Sequence, residues 1–211
     1  MLKQPQCKIC RREGKKLMLK GERCLSPKCA IVKRNYPPGL HGIKNTRRKI
    51  SEYGKQLREK QKAKKIYGVL EKVFKKYYEK AISSKGNVSE NLINLLEARL
   101  DNVVYRSGIA SSRKQAKQLV GHGHFFLNKY KTDIPSCQVS IGDIIKIKES
   151  KKDKNFFKNL KESLKGKKGQ EIPSWINFDK EKMEIKILSN PSISEMDQGF
   201  DTKMIIEFYS R

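Results

Sequence analysis

The sequence predicts an α+β protein: a four-cysteine metal knot, a mainly helical domain, and a compact module of helices on a small antiparallel sheet. Three observations carry this. Four of the five cysteines fall in the first 29 residues, as Cys7-x2-Cys10-x13-Cys24-x4-Cys29. Residues 51–82 repeat apolar side chains mostly at three- and four-residue steps. Residues 91–148 then run through an amphipathic helix and a capped second helix into short alternating strands.

The cysteine block comes first. Two close pairs separated by a short loop can set four thiolates around one metal ion. No apolar stretch follows Met1-Leu2-Lys3, so no secretory signal is visible and a reducing cytosol is expected, where metal ligation is favoured over disulfides. Structural Zn²⁺ suits four thiolates, with Cys7, Cys10, Cys24 and Cys29 as ligands; an iron–sulfur cluster would use the same set. Without a metal, residues 1–35 hold few large apolar side chains to order them. Cys137 stands apart and reads as a small half-buried residue.

Charge narrows the function. The 211 residues carry 48 Lys+Arg against 22 Asp+Glu, a formal net charge of +26. The excess is +13 over residues 1–50, +10 over 51–150 and +3 over 151–211. Such self-repulsion is relieved by a polyanion, and nucleic acid is the partner expected. A membrane partner is not expected, because no apolar run approaches the roughly 20 residues that span a bilayer. Nothing points to a small-molecule substrate.

The elements follow in order. Tyr36-Pro37-Pro38-Gly39 is a non-helical connector. Ser51 is a fitting N-cap for a helix over about 51–66, and Gly68 separates it from a second helix. The first carries Lys55, Arg58, Lys60, Lys62, Lys64 and Lys65, which are either a solvated face or a nucleic-acid face; the whole-chain excess favours the second. Tyr53 has the spacing of a core residue but could also stack on a base. Asn91–Tyr105 reads as one amphipathic helix with Leu92, Leu95, Leu96, Leu100, Val103 and Val104 in its stripe, which leaves Asp101 on the polar side. Ser112-x-x-Gln115 is a capping box opening the next helix, with Arg113 and Lys117 four apart on one face. Phe125–Asn128 alternates, Ile144–Lys148 reads as a strand, Pro173-Ser174-Trp175 begins a β segment that ends at Leu188, and Lys151–Lys168 reads as a charged helix. Met204–Tyr209 is apolar but short, and must dock on an earlier domain.

Several blocks, in this order, carry a resemblance. They are Cys-Lys-Ile-Cys-Arg-Arg-Glu-Gly-Lys-Lys (7–16), Ser-Pro-Lys-Cys-Ala (26–30), Tyr-Pro-Pro-Gly (36–39), Ser-Glu-Tyr-Gly-Lys-Gln-Leu-Arg (51–58), Arg-Leu-Asp-Asn-Val-Val-Tyr-Arg (99–106), Ala-Ser-Ser-Arg (110–113) and Ile-Glu-Phe-Tyr-Ser-Arg (206–211). Over nearly the whole chain the sequence resembles the bacterial-type uS4 family of small-subunit ribosomal proteins. It departs at Asn128-Lys129, where the family has Asn-Gly, so the hairpin needs a different or longer turn.

The resemblance implies a non-enzymatic protein of the small ribosomal subunit, at work on ribosomes in the cytoplasm or an organelle. It implies binding to a junction in the 5′ domain of small-subunit rRNA, an early role in assembly and an influence on decoding accuracy. It also implies contact with ribosomal proteins three and five of that subunit and with the channel where mRNA enters. Domains follow as 1–44 (metal segment), 45–88 with 189–211 (helical rRNA-binding domain) and an insertion at 89–188, whose RNA-binding module covers about 97–160. The expected RNA contacts are Arg11, Arg12, Lys15, Lys16 and Lys20 on the knot, Arg47, Arg48 and Lys49 after the connector, Tyr53, Arg58, Lys62, Lys64 and Lys65 on the first long helix, and Ser111, Ser112, Arg113 and Lys117 at the second turn. Rival readings are a metal-finger regulator and an RNA-modifying enzyme, since Arg99-Leu100-Asp101 echoes the catalytic triplet of pseudouridine synthases.

Overall fold

The computed structural model describes residues 5–44, 49–152, 156–157, 160, 172–191 and 199–211. The chain divides into two compact units, residues 1–89 with 197–211, and residues 90–196. Arg47, Arg48 and most of the helix expected over 151–168 lie outside the described residues.

The first unit opens with three short helices, α1 (Gln6–Glu13), α2 (Glu22–Leu25) and α3 (Ala30–Lys33). Then comes α4 (Glu52–Ile66), started by Ser51, whose hydroxyl accepts the Gly54 N–H at 3.2 Å. Gly68 closes it in the left-handed region (φ +63°), and the Val69 N–H returns to the Lys64 carbonyl at 3.0 Å. The next helix, α5 (Glu71–Ser83), buries Phe74, Tyr78 and Ala81.

The chain's last helix, Thr202–Tyr209, packs along α4. Asp201 caps it by accepting the Lys203 N–H at 2.8 Å. Ile205 is fully buried, and the Tyr209 ring stacks on Tyr78 with centroids 4.6 Å apart. This is the docking that so short an apolar segment requires. Gln56 Nε2 donates to Glu207 (2.9 Å) and the Tyr209 hydroxyl to Glu71 (2.8 Å), fixing its register.

In the second unit the single helix expected over 91–105 is two, α6 (Val88–Glu97) and α7 (Leu100–Arg106). The apolar stripe continues through both, so periodicity does not show the break. A distant segment makes it: Arg99 bridges to Gln138, and the Leu100 and Asp101 N–H groups donate to the carbonyls of Cys137 (2.9 Å) and Pro135 (3.1 Å). Those carbonyls satisfy the first-turn donors that a continuous helix would have used internally.

Helix α8 (Arg113–Gly121) follows, then β1 (Phe125–Leu127), β2 (Tyr130–Thr132), β3 (Ile144–Ile147), the short α9 (Glu149–Lys152), β4 (Ile176–Asp179) and β5 (Glu184–Ile187). The strands form one antiparallel sheet in the order β2-β1-β3-β5-β4. Alternation sends Phe125, Ile145, Ile147, Ile185, Ile187, Ile176 and Phe178 into the core with Leu100, Val103, Val104 and Val120. The hairpin tip is two residues, with Leu127 facing Tyr130 and only Asn128 at positive φ (55°). Asn tolerates that conformation, and here its side chain accepts the Ile144 N–H and donates to Asp143, both at 2.9 Å. The tip therefore holds without the expected glycine.

Candidate nucleic-acid interface

The cysteine segment is folded around its own thiols. Cys10, Cys24 and Cys29 are buried, Cys7 is half-buried, and all are free of disulfides. The four line one small cavity with Gln6, Leu19, Lys20, Ala30 and Ile31, and the Lys20 N–H donates to Cys24 Sγ at 3.3 Å. Burial raises the pKa of the Cys10 thiol, and charge on Cys24, Cys7 and Cys29 would raise it further, while a backbone hydrogen bond at Leu17 opposes both. Thiol sulfur is a donor type that zinc takes, and these four line the same cavity. Among the described residues, however, no three His, Cys, Asp or Glu side chains are set as a finished metal cage.

Around the thiols the cations divide into two kinds. Arg12, Lys15, Lys16 and Lys20 are exposed, as are Lys8, Arg23 and Lys28. Arg11 is a clamp instead: its guanidinium donates to the carbonyls of Tyr36 (3.0 Å) and Pro37 (3.3 Å) and lies 4.6 Å from the centre of the Tyr36 ring. It holds the connector against α1.

Helix α4 departs from the expected uniform basic face. Arg58 pairs with Glu13 (3.1 Å), Lys62 with Glu59 (2.6 Å), and Lys60 and Lys64 both with Glu71 (2.6 and 2.8 Å). Burial raises the Glu13 carboxyl above its ordinary pKa, and Arg58 pulls it back. For Glu71, burial also raises the pKa, but hydrogen bonds from Lys60, Lys64 and Tyr209 outweigh it and hold the carboxyl at about 2. Lys65 is half-buried and enters none of these pairs. Lys49 is exposed, and Tyr53 is 52% exposed, one side of its ring against Phe208 at 5.5 Å. The helix is thus largely neutralised, by Glu59 on α4 itself and by Glu13 and Glu71 from outside it.

At the turn into α8, Ser112 caps the helix by accepting the Gln115 N–H at 3.3 Å. The return arm of the expected capping box lands one residue earlier, where the N–H and hydroxyl of Ser111 both donate to Gln115 Oε1 at 2.8 Å. Lys117 is exposed with Lys114. Arg113 is not: it donates to Asn102 Oδ1 (2.7 Å), lies 3.8 Å from Glu97 and stacks 4.5 Å from the centre of the Tyr105 ring. Glu97 is fully buried and also accepts from Arg106 (3.0 and 2.8 Å) and Asn102. Asp101, expected on the polar side, is 3% exposed and held bidentately by Arg99 at 3.0 and 2.7 Å. Both networks join residues whose spacing carries no sequence signal.

Residues 1–97 match the family described as ribosomal protein S4/S9 N-terminal domain, and residues 98–145 match the S4 domain. Small ribosomal subunit protein uS4A of Alkaliphilus metalliredigens (strain QYMF) is 52% identical over 97% of this chain and 96% of its own length. Small ribosomal subunit protein uS4 of Clostridioides difficile (strain 630) is 53% identical with the same coverage. The chain belongs to the uS4 family. The two matched uS4 regions meet at residues 97 and 98, where α6 gives way to the Arg99 bridge and α7. One basic stripe of this uS4 chain lies outside the expected contacts. Lys72, Lys76 and Lys80, spaced i, i+4, i+8, are exposed along α5, and that spacing was the available signal.

Proposed function

We propose that the chain is a structural, non-enzymatic protein of the small ribosomal subunit that binds rRNA at a multi-helix junction of the 5′ domain. The observation that carries this is identity above 50% across 97% of the chain to proteins named for that subunit. The physical arrangement agrees: exposed cations stand on pre-set surfaces, as recognition of structured RNA by shape requires. Contact with ribosomal proteins three and five and with mRNA, a role in decoding accuracy, and a cytoplasmic ribosome as location belong to the same proposal.

Cys7, Cys10, Cys24 and Cys29 would hold one zinc ion, with an iron–sulfur cluster as the alternative on the same thiols. The metal would supply shape, ordering the segment that carries Arg12, Lys15, Lys16 and Lys20. Over the RNA-modifying enzyme, the binding role is favoured by Asp101, whose carboxylate is buried on Arg99 rather than presented to a substrate.

The salt dependence of binding to a 5′-domain rRNA fragment tests this. Replacing Arg12, Lys15 and Lys16 with Gln should lower the slope of log K against log salt by about 2.7, for three phosphate contacts. Replacing Lys62 and Lys64 should change it far less, because both are paired internally. A slope untouched by the first set would contradict the proposal.

A further inference from the structure

One face of the sheet belongs to neither the core nor any expected contact. Phe125, Ile145 and Ile185 point inward, so Phe126, Lys146 and Glu184 point outward. The register sets these residues in a row: Phe126 lies opposite Lys131 on β2 and opposite Lys146 on β3, and Lys146 opposite Glu184 on β5. Lys131 and Lys146 are exposed, and the Phe126 ring between them is half-buried. Further along this face Asn177 and Lys186 are also exposed, so it is open to solvent there. Lys129 and Tyr130, the latter 79% exposed, stand at the hairpin end.

An aromatic ring between two ammonium groups on an open β-surface has the chemistry of a stacking platform. The ring offers a π-face to a base, and the lysines meet the phosphates on either side. Duplex RNA cannot use such a platform, because its bases are already stacked. Glu184 pairs with Lys146 at 2.9 Å and Asp179 lies beyond it on β4, while on the other edge the single carboxylate of Asp133 follows β2. Lys131 and Lys129 lie on the other side, so the potential favours a strand crossing at the β2–β1–β3 end.

We propose that Phe126, flanked by Lys131 and Lys146, stacks an unpaired base of the small-subunit rRNA on the outer face of the sheet. The proposal rests on the rRNA-binding reading and adds a site for single-stranded RNA to it. Phe126→Leu keeps an apolar side chain but removes the π-face, and Phe126→Tyr keeps both. Full-length protein is titrated with a 12-nucleotide uridine oligomer and with a 12-base-pair RNA duplex, and the rRNA fragment is probed base by base.

Phe126→Leu should weaken oligomer binding about tenfold, within the range for one stacked base. Its duplex affinity should not change, and Phe126→Tyr should match the parent. On the rRNA fragment, protection of an unpaired base should disappear while backbone protections at paired helices remain. Lys131→Gln, which leaves the core untouched, should lower the oligomer's salt slope by about 0.7. Equal oligomer affinity and an identical footprint for parent and Phe126→Leu would overturn the site while leaving rRNA binding in place. A parent protein that fails to bind the rRNA fragment would overturn both.

Discussion

Glu71 gathers three donors, and removing its charge tests what holds the C-terminal helix in place. In Glu71→Gln, Lys60 and Lys64 lose their carboxylate and Tyr209 loses its acceptor charge. Lys60 is the costly one: its side chain is only 8% exposed, and its ammonium lies 4.2 Å from the centre of the Phe208 ring. Breaking a fully buried pair by removing one partner costs about 3–5 kcal/mol, and an exposed pair about 0–1. Glu71 is 44% exposed, which places this pair between the two at about 2 kcal/mol. The depressed carboxyl gives a similar answer. A drop from 4.5 to about 2 is worth about 3 kcal/mol before solvent screening, and less after it. Because the folded carboxyl titrates below the unfolded one, this stability is complete above about pH 4.5 and is lost as pH falls toward 2. Hydrogen exchange of the amides in 202–209 reads the effect locally, and at pH 7 it should accelerate about 30-fold in Glu71→Gln. Adding Lys60→Met should restore part of the protection by removing the stranded cation. Unchanged exchange in the single variant, or a further loss in the double, would refute this account of the docking.

Other outcomes follow from the same contacts. Native mass spectrometry of metal-replete protein should find one zinc ion per chain and none in Cys24→Ser; a metal-free parent with residues 5–35 still folded would remove the metal from the account. Glu97→Gln strands Arg106 and Arg113 around a fully buried position. It should lower the stability of the second unit by about 3 kcal/mol. Urea unfolding followed by fluorescence of Trp175, the chain's single tryptophan and a core residue of that unit, measures this, and a loss below about 1 kcal/mol would contradict it.

The sequence showed most clearly what is local. Ser51 and Gly68 bound α4 as their chemistry requires, and the apolar shortness of Met204–Tyr209 forces docking. The α6–α7 break was hidden because its cause, the carbonyls of Pro135 and Cys137, lies more than thirty residues away. The basic residues split for the same reason. A run of lysines shows charge, and helical spacing already sets Glu59 beside Lys62, but only the fold brings Glu13 to Arg58 and Glu71 to Lys60 and Lys64. Arg113, expected as an RNA contact, is held on Glu97, Asn102 and Tyr105, none of which its spacing signals. The four thiols of the cysteine pairs line one cavity, whereas the arrangement a metal would impose on them cannot be read from spacing.

The central claim is that this chain works as part of the small ribosomal subunit. Sedimentation of a native lysate through a sucrose gradient at moderate salt tests it most directly. The protein should travel with the small subunit and be released as salt screens its exposed cations. Recovery of the protein at the top of the gradient, free of ribosomal RNA at low salt, would contradict it.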